Sequence, residues 1–144
     1  MLTLVLDTNV FVGALLGKGG ASRRVVRACL GGEYRAVMGA ALFSEYEDVL
    51  SRDTLWEGSL VSRADRTLIL DGFLSTCRWT EIFFAWRPNL SDEADNHLVE
   101  LAVAGRASAI VTRNVRDLAG GELRFPDLSV LTPEQCLERY PCQP

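Results

Sequence analysis

Short aliphatic runs that stop on a polar residue or a glycine recur along this chain, and each is separated from the next by a stretch with helical periodicity. Residues 2–6 end at Asp7, residues 34–38 end at Gly39, and residues 108–112 end at Arg113. Further runs at 79–84 and 128–131 bring the expected strands to five. The runs are continuous rather than alternately apolar and polar. That is the pattern of strands covered on both faces, and helices lying between successive strands make parallel crossovers. The expected architecture is a three-layer α/β domain, with a central five-stranded parallel sheet and helices on both faces. At 144 residues the chain falls in the common domain range of roughly 100–150. One domain is therefore expected over residues 1–140, followed by a short tail at 141–144.

The helices carry recognisable start and stop signals. Residues 9–16 are apolar all round and run into a turn at Gly17-Lys18-Gly19-Gly20. Ser22 is the expected cap of a helix bearing Val25, Val26, Cys29 and Leu30, closed by Gly31-Gly32. Residues 40–52 place Leu42, Tyr46, Val49 and Leu50 on one face. Ser62, with Asp65 three residues on, opens a helix reaching about Cys77. Ser91 caps one over 92–104 that stops at Gly105, and Pro133 opens the last.

Several classes are disfavoured at once. An apolar fraction of 48 % with 24 % charged residues is ordinary globular composition. No stretch approaches the ~18 apolar residues of a membrane span. The apolar start of the chain lacks basic residues and ends at Asp7, so a cytoplasmic protein is expected. Cys29, Cys77, Cys136 and Cys142 have no zinc-like pairing and are expected as buried thiols. The formal net charge of −4, with Lys18 the one lysine among 15 basic residues, argues against a generally basic surface.

The distribution of the acids is more informative than their sum. In an open parallel sheet, ligands bind beyond the carboxyl ends of the strands. Asp7 ends the first run, and Asn114 and Asp117 follow the fourth within a few residues. Projected at about 100° per residue, Glu45 lies beside Val49 at the edge of the apolar stripe, whereas Glu47 and Asp48 point away. Asp95 falls among Leu98, Val99 and Ala102, and Asp92 lies one turn earlier, where it can act as a ligand or only favour the helix dipole. Close carboxylates repel by ~4 kcal/mol per pair at an effective dielectric of 20, so such a cluster needs protons or cations. All-oxygen ligation suits Mg²⁺ or Mn²⁺ rather than zinc.

Other chemistries lack their parts. The one histidine, His97, projects outward and is read as a surface residue, so a Ser/His/Asp triad has no base. The glycines at 17–20 are not followed by Lys and Ser/Thr, so no phosphate-cradling loop is expected. What is left is metal-assisted hydrolysis, in which the ion activates water and stabilises the leaving oxygen.

These residues resemble the PIN-domain ribonucleases, in particular the bacterial branch that includes VapC-type toxins. The similarity runs from Leu4 to about Leu137 and rests on four segments taken in order. They are Leu6-Asp7-Thr8-Asn9-Val10, Glu45 within Ser44-Glu45-Tyr46, Asp95 within Asp92-Glu93-Ala94-Asp95-Asn96, and Val111-Thr112-Arg113-Asn114 through Asp117. The resemblance implies a PIN-like fold and an endoribonuclease dependent on Mg²⁺ or Mn²⁺. It assigns catalytic and metal-binding roles to Asp7, Glu45, Asp95 and Asp117, with Asp92 at a further ligand position. Thr8, Asn9, Thr112 and Asn114 become supporting polar residues. Asn114 stands where some relatives carry Asp, which removes one negative charge from the site. Also implied are a homodimer and a cognate antitoxin protein as partner.

Arg113 and Arg116, beside Asn114 and Asp117, are candidates to hold RNA phosphates, with Arg23, Arg24 and Arg27 as further ones. Trp86 with Arg87 could stack a base, although a core or interface tryptophan is the commoner role. The alternative is a non-catalytic PIN-like module that binds RNA or protein, which the full acid set disfavours. If the five acids line one pocket, they outweigh the whole net charge, and the rest of the surface is near neutral toward RNA.

Overall fold

A computed structural model describes residues 1–17, 20–82, 96–116, 118 and 127–142. The elements are β1 (Leu2–Leu6), α1 (Thr8–Leu16), α2 (Gly20–Leu30), β2 (Tyr34–Met38), α3 (Ala40–Leu50), a 3₁₀ turn (Asp53–Trp56), α4 (Arg63–Thr76), β3 (Arg78–Trp79), α5 (Asn96–Ala104), β4 (Ala109–Val111), β5 (Ser129–Leu131) and α6 (Pro133–Arg139). The sheet order is β3-β2-β1-β4-β5, with every neighbouring pair parallel. The expected five-stranded parallel α/β fold is therefore present. Strand order reverses beside β1, so the carboxyl ends of β1 and β4 adjoin at the kind of switch point where open parallel sheets bind ligands.

Burial explains the continuous aliphatic runs. Successive strand residues point to opposite faces, yet Leu4, Val5 and Leu6 are all buried, as are Ala109, Ile110 and Val111. Both faces of the central strands are thus covered. α5 lies across β1, β2 and β4, while α2 contacts β2 and gathers α1, α4 and α6 around it. Two glycines are dictated by geometry. Gly17 ends α1 in the left-handed region at φ 75°. A Cβ on Gly105 would lie 2.6 Å from Val37 Cγ1, so only glycine lets the end of α5 approach β2.

Two expectations are corrected. The third strand is two residues long rather than spanning 79–84, because it pairs only with the last two residues of β2, Val37 and Met38; residues 83 and 84 lie outside the described residues. Ser22 is not a cap: α2 begins at Gly20, and Ser22 is fully buried within it. The residues at 9–16 form a helix together with Thr8. Other signals hold. The Ser62 side chain accepts from the Asp65 amide, and Thr132 with Gln135 forms a capping box before Pro133. All four cysteines are free thiols, three of them buried, with Cys142 only partly so. Burial raises the Cys77 thiol pKa to about 12. Among the described residues no helix is long and apolar enough to cross a membrane.

Candidate functional site

The site is built from the carboxyl end of β1 outward. Asp7 is the first residue after that strand, and its backbone N–H donates to the Val111 carbonyl (2.9 Å), tying it to β4. It precedes α1 as the N-cap, but its side chain makes no capping hydrogen bond. Instead Thr112, the residue after β4, donates its hydroxyl to Asp7 Oδ2 at 2.7 Å. Thr112 is fully buried and Asp7 nearly so. The Thr112 oxygen also accepts from the Asn114 backbone N–H (3.0 Å), and the Asn9 side-chain oxygen accepts from the Arg113 backbone N–H (3.2 Å). The turns after β1 and β4 are thereby stitched together across the switch point.

Glu45 reaches the same place from α3. The adjacent Tyr46 is fully buried, stacks on Phe73, packs at a tilt against Phe11, and donates its hydroxyl to the Leu6 carbonyl at 2.7 Å. That bond pins α3 to the last residue of β1, one position before Asp7. The far end of α3 is closed by buried Arg66, which donates to the Leu50 carbonyl (3.0 Å) and lies over the Trp56 ring. Glu45 Oε1 accepts the Thr8 hydroxyl at 2.6 Å, and Oε2 lies 3.0 Å from His97 Nε2. Thr112 and Thr8 thus bond directly to Asp7 and Glu45, whereas Asn9 and the Asn114 backbone amide only join the adjoining turns.

The two carboxylates feel different surroundings. Burial pushes the Asp7 pKa up, the Glu45 charge adds to the rise, and the Thr112 hydrogen bond opposes it. The His97 hydrogen bond draws Glu45 below the usual carboxylate range despite partial burial, and Thr8 assists. A divalent cation fits this donor set: the ligands are hard oxygens, and a cation would relieve the strain of an ionised Asp7 beside Glu45. Among the described residues no three His, Cys, Asp or Glu side chains converge closely enough to hold an ion by themselves. The expected ligands Asp92, Asp95 and Asp117 lie outside the described residues, as do Ser91, Trp86 and Arg87.

His97 does not face solvent. Its side chain is 21 % exposed and packs toward Glu45, because the first turn of α5 lies next to α3. The overlooked signal is Leu101, a buried residue four positions on, which widens the inner stripe of α5 to include His97. The arginines divide into two kinds. Arg113 gives its guanidinium to both oxygens of Glu134 and, at 2.8 Å, to Ser22 Oγ, which accounts for the buried serine. Arg23 donates to the Ala14 carbonyl near the end of α1. Arg24, Arg27 and Arg116 are exposed.

Residues 3–116 match the family model described as the PIN domain. No curated protein matches the chain by sequence. Among solved structures it is similar to a chain from the crystal structure of VapBC2 from Rickettsia felis bound to a DNA fragment from their promoter. The TM-score is 0.57 and the identity 16 %, over 90 % of this chain and 97 % of that one.

Proposed function

The chain belongs to the PIN-domain family, and from that premise we propose that it is a divalent-metal-dependent endoribonuclease, the toxin of a VapC-type toxin–antitoxin pair. The observation that carries this reading is the placement of Asp7 and Glu45. A carboxylate buried at the switch point of the sheet is costly to ionise there, and with a second acid brought toward it by a separate helix it serves a polyanion-binding module poorly. Asp7 and Glu45 would hold Mg²⁺ or Mn²⁺, completed by Asp95 and Asp117 and, as a further ligand, Asp92. A cation there would activate the attacking water and stabilise the leaving oxygen.

The chain's own residues do the rest. Thr112 keeps the Asp7 carboxylate in one orientation, and Thr8 does the same for Glu45. Exposed Arg116, with Arg24 and Arg27, is suited to RNA phosphates, whereas Arg113 reaches RNA only by giving up Glu134. The likeness in fold to a chain of VapBC2 supports a cognate antitoxin as partner. A cytoplasmic homodimer accords with this role.

The test is cleavage of single-stranded RNA with Mn²⁺ present. Wild type should cut, and both EDTA and Asp7→Asn should abolish cutting. The expected loss for Asp7→Asn is about a thousandfold, since several kcal/mol of charge stabilisation go with the ligand. Cleavage that survives Asp7→Asn sinks the reading and favours a contaminating nuclease or a binding-only domain.

A further inference from the structure

We propose that His97 is a positioning residue that fixes the Glu45 carboxylate for metal binding, its Nε2–H bonded to Oε2 while Thr8 holds Oε1. The inference rests on the metal-nuclease reading above and extends it to a residue outside the acidic set.

Glu45 needs an anchor that Asp7 does not. Asp7 has a short side chain, buried at a strand end, with little freedom to lose. Glu45 has a longer one that is 38 % exposed, so an unrestrained carboxylate would sample solvent-facing rotamers. Two donors from two elements, the first residue of α1 and the first turn of α5, hold one oxygen each and set the plane of the group. Each carboxylate oxygen has two lone pairs, so a donor on each leaves one for a cation. Facing a carboxylate oxygen, Nε2 must carry its proton. One neutral tautomer and the imidazolium both provide that proton, so the anchoring does not depend on the charge of the ring.

The opposite possibility is that the imidazole occupies the cation's place and competes with it. The two differ in sign. Partners that hydrogen-bond to a metal-binding carboxylate typically strengthen the site 10–100-fold, whereas removing a competitor tightens binding.

Mn²⁺ binding by the full chain, followed through loss of the free-ion EPR signal, decides between them, with melting temperature in EDTA as a control on folding. His97→Ala should bind Mn²⁺ about 10–100-fold more weakly than wild type. His97→Gln, whose amide nitrogen reaches about where Nε2 lies, should restore most of that loss. His97→Asn, whose amide falls short, should not. Should the alanine variant melt lower in EDTA, the Gln and Asn variants decide alone, since both are polar and only Gln spans to Glu45. Binding by His97→Ala as tight as wild type, or tighter, overturns the inference, as does equal weakening in the Gln and Asn variants. Glu45→Gln separates the two levels. If it weakens Mn²⁺ binding while all three His97 variants bind normally, only the role of His97 falls. If wild type binds no Mn²⁺, the metal-nuclease reading falls with it.

Discussion

Asp7 hangs from the carboxyl end of β1 and is almost fully buried, whereas Glu45 reaches in from α3 with more than a third of its side chain exposed. Each receives a threonine hydroxyl, from Thr112 and Thr8 respectively. Their environments then act in opposite directions. Burial raises the affinity of Asp7 for a proton, and His97 lowers that of Glu45. One acid is rigid and costly to ionise; the other is ionised readily and must be held still. A site assembled this way gets precise placement from the sheet and charge from the helix, and a cation satisfies both.

Each of the two acids can be perturbed through its own supports. The largest effect is expected at the rigid end, where Thr112→Val removes the hydrogen bond to Asp7 and the acceptor used by the Asn114 amide. Metal-dependent cleavage should fall about 10–100-fold, as is usual when a metal-binding group loses its hydrogen-bonding support. Steady-state kinetics in Mn²⁺ checks this. An unchanged rate would mean that burial alone orients Asp7.

At the helical end, Tyr46→Phe strands the Leu6 carbonyl and loosens α3 while leaving the ring contacts with Phe11 and Phe73 in place. The cost should be about 1–2 kcal/mol in a denaturant titration, the usual penalty for a buried group left unpaired. Cleavage should drop with it, because Glu45 directly precedes Tyr46 on the helix. A stability loss with full activity would show that Glu45 is placed by Thr8 and His97 rather than by Tyr46.

The smallest effect concerns the protein without metal. The folded-state pKa of Asp7 lies above its ordinary value of 3.8, so its contribution to stability is full below that value and is lost as pH rises through the raised pKa. Asp7→Asn keeps the shape and an acceptor for Thr112 but has no charge to bury. In EDTA near neutral pH it should melt higher than wild type. The difference should shrink as pH approaches 4. Destabilisation by Asp7→Asn at neutral pH would contradict the view that this carboxylate is costly to the fold.

Much of this was legible in the residue pattern, for reasons that also mark where it stops. β1 and β2 match their aliphatic runs because both are covered on two faces, which is what a continuous run reports. The run at 79–84 does not report strand length, since β3 pairs along one edge only and its length is set by how far β2 extends. Glu45 was visible as an acid at the rim of an apolar stripe, because helical projection describes a helix against its own core. The same projection turns His97 outward, because it contains nothing of the neighbouring α3. Ser22 carries the composition of a cap, yet its hydroxyl serves Arg113, 91 residues away. Contacts between distant segments leave no local trace.

The proposed site stands on Asp7 and Glu45 jointly holding a divalent cation. The most direct measurement is anomalous X-ray scattering from crystals of the protein grown or soaked with Mn²⁺. A manganese peak is expected within bonding distance of carboxylate oxygens from both Asp7 and Glu45. A peak that touches neither residue, or no peak at saturating Mn²⁺, would contradict it.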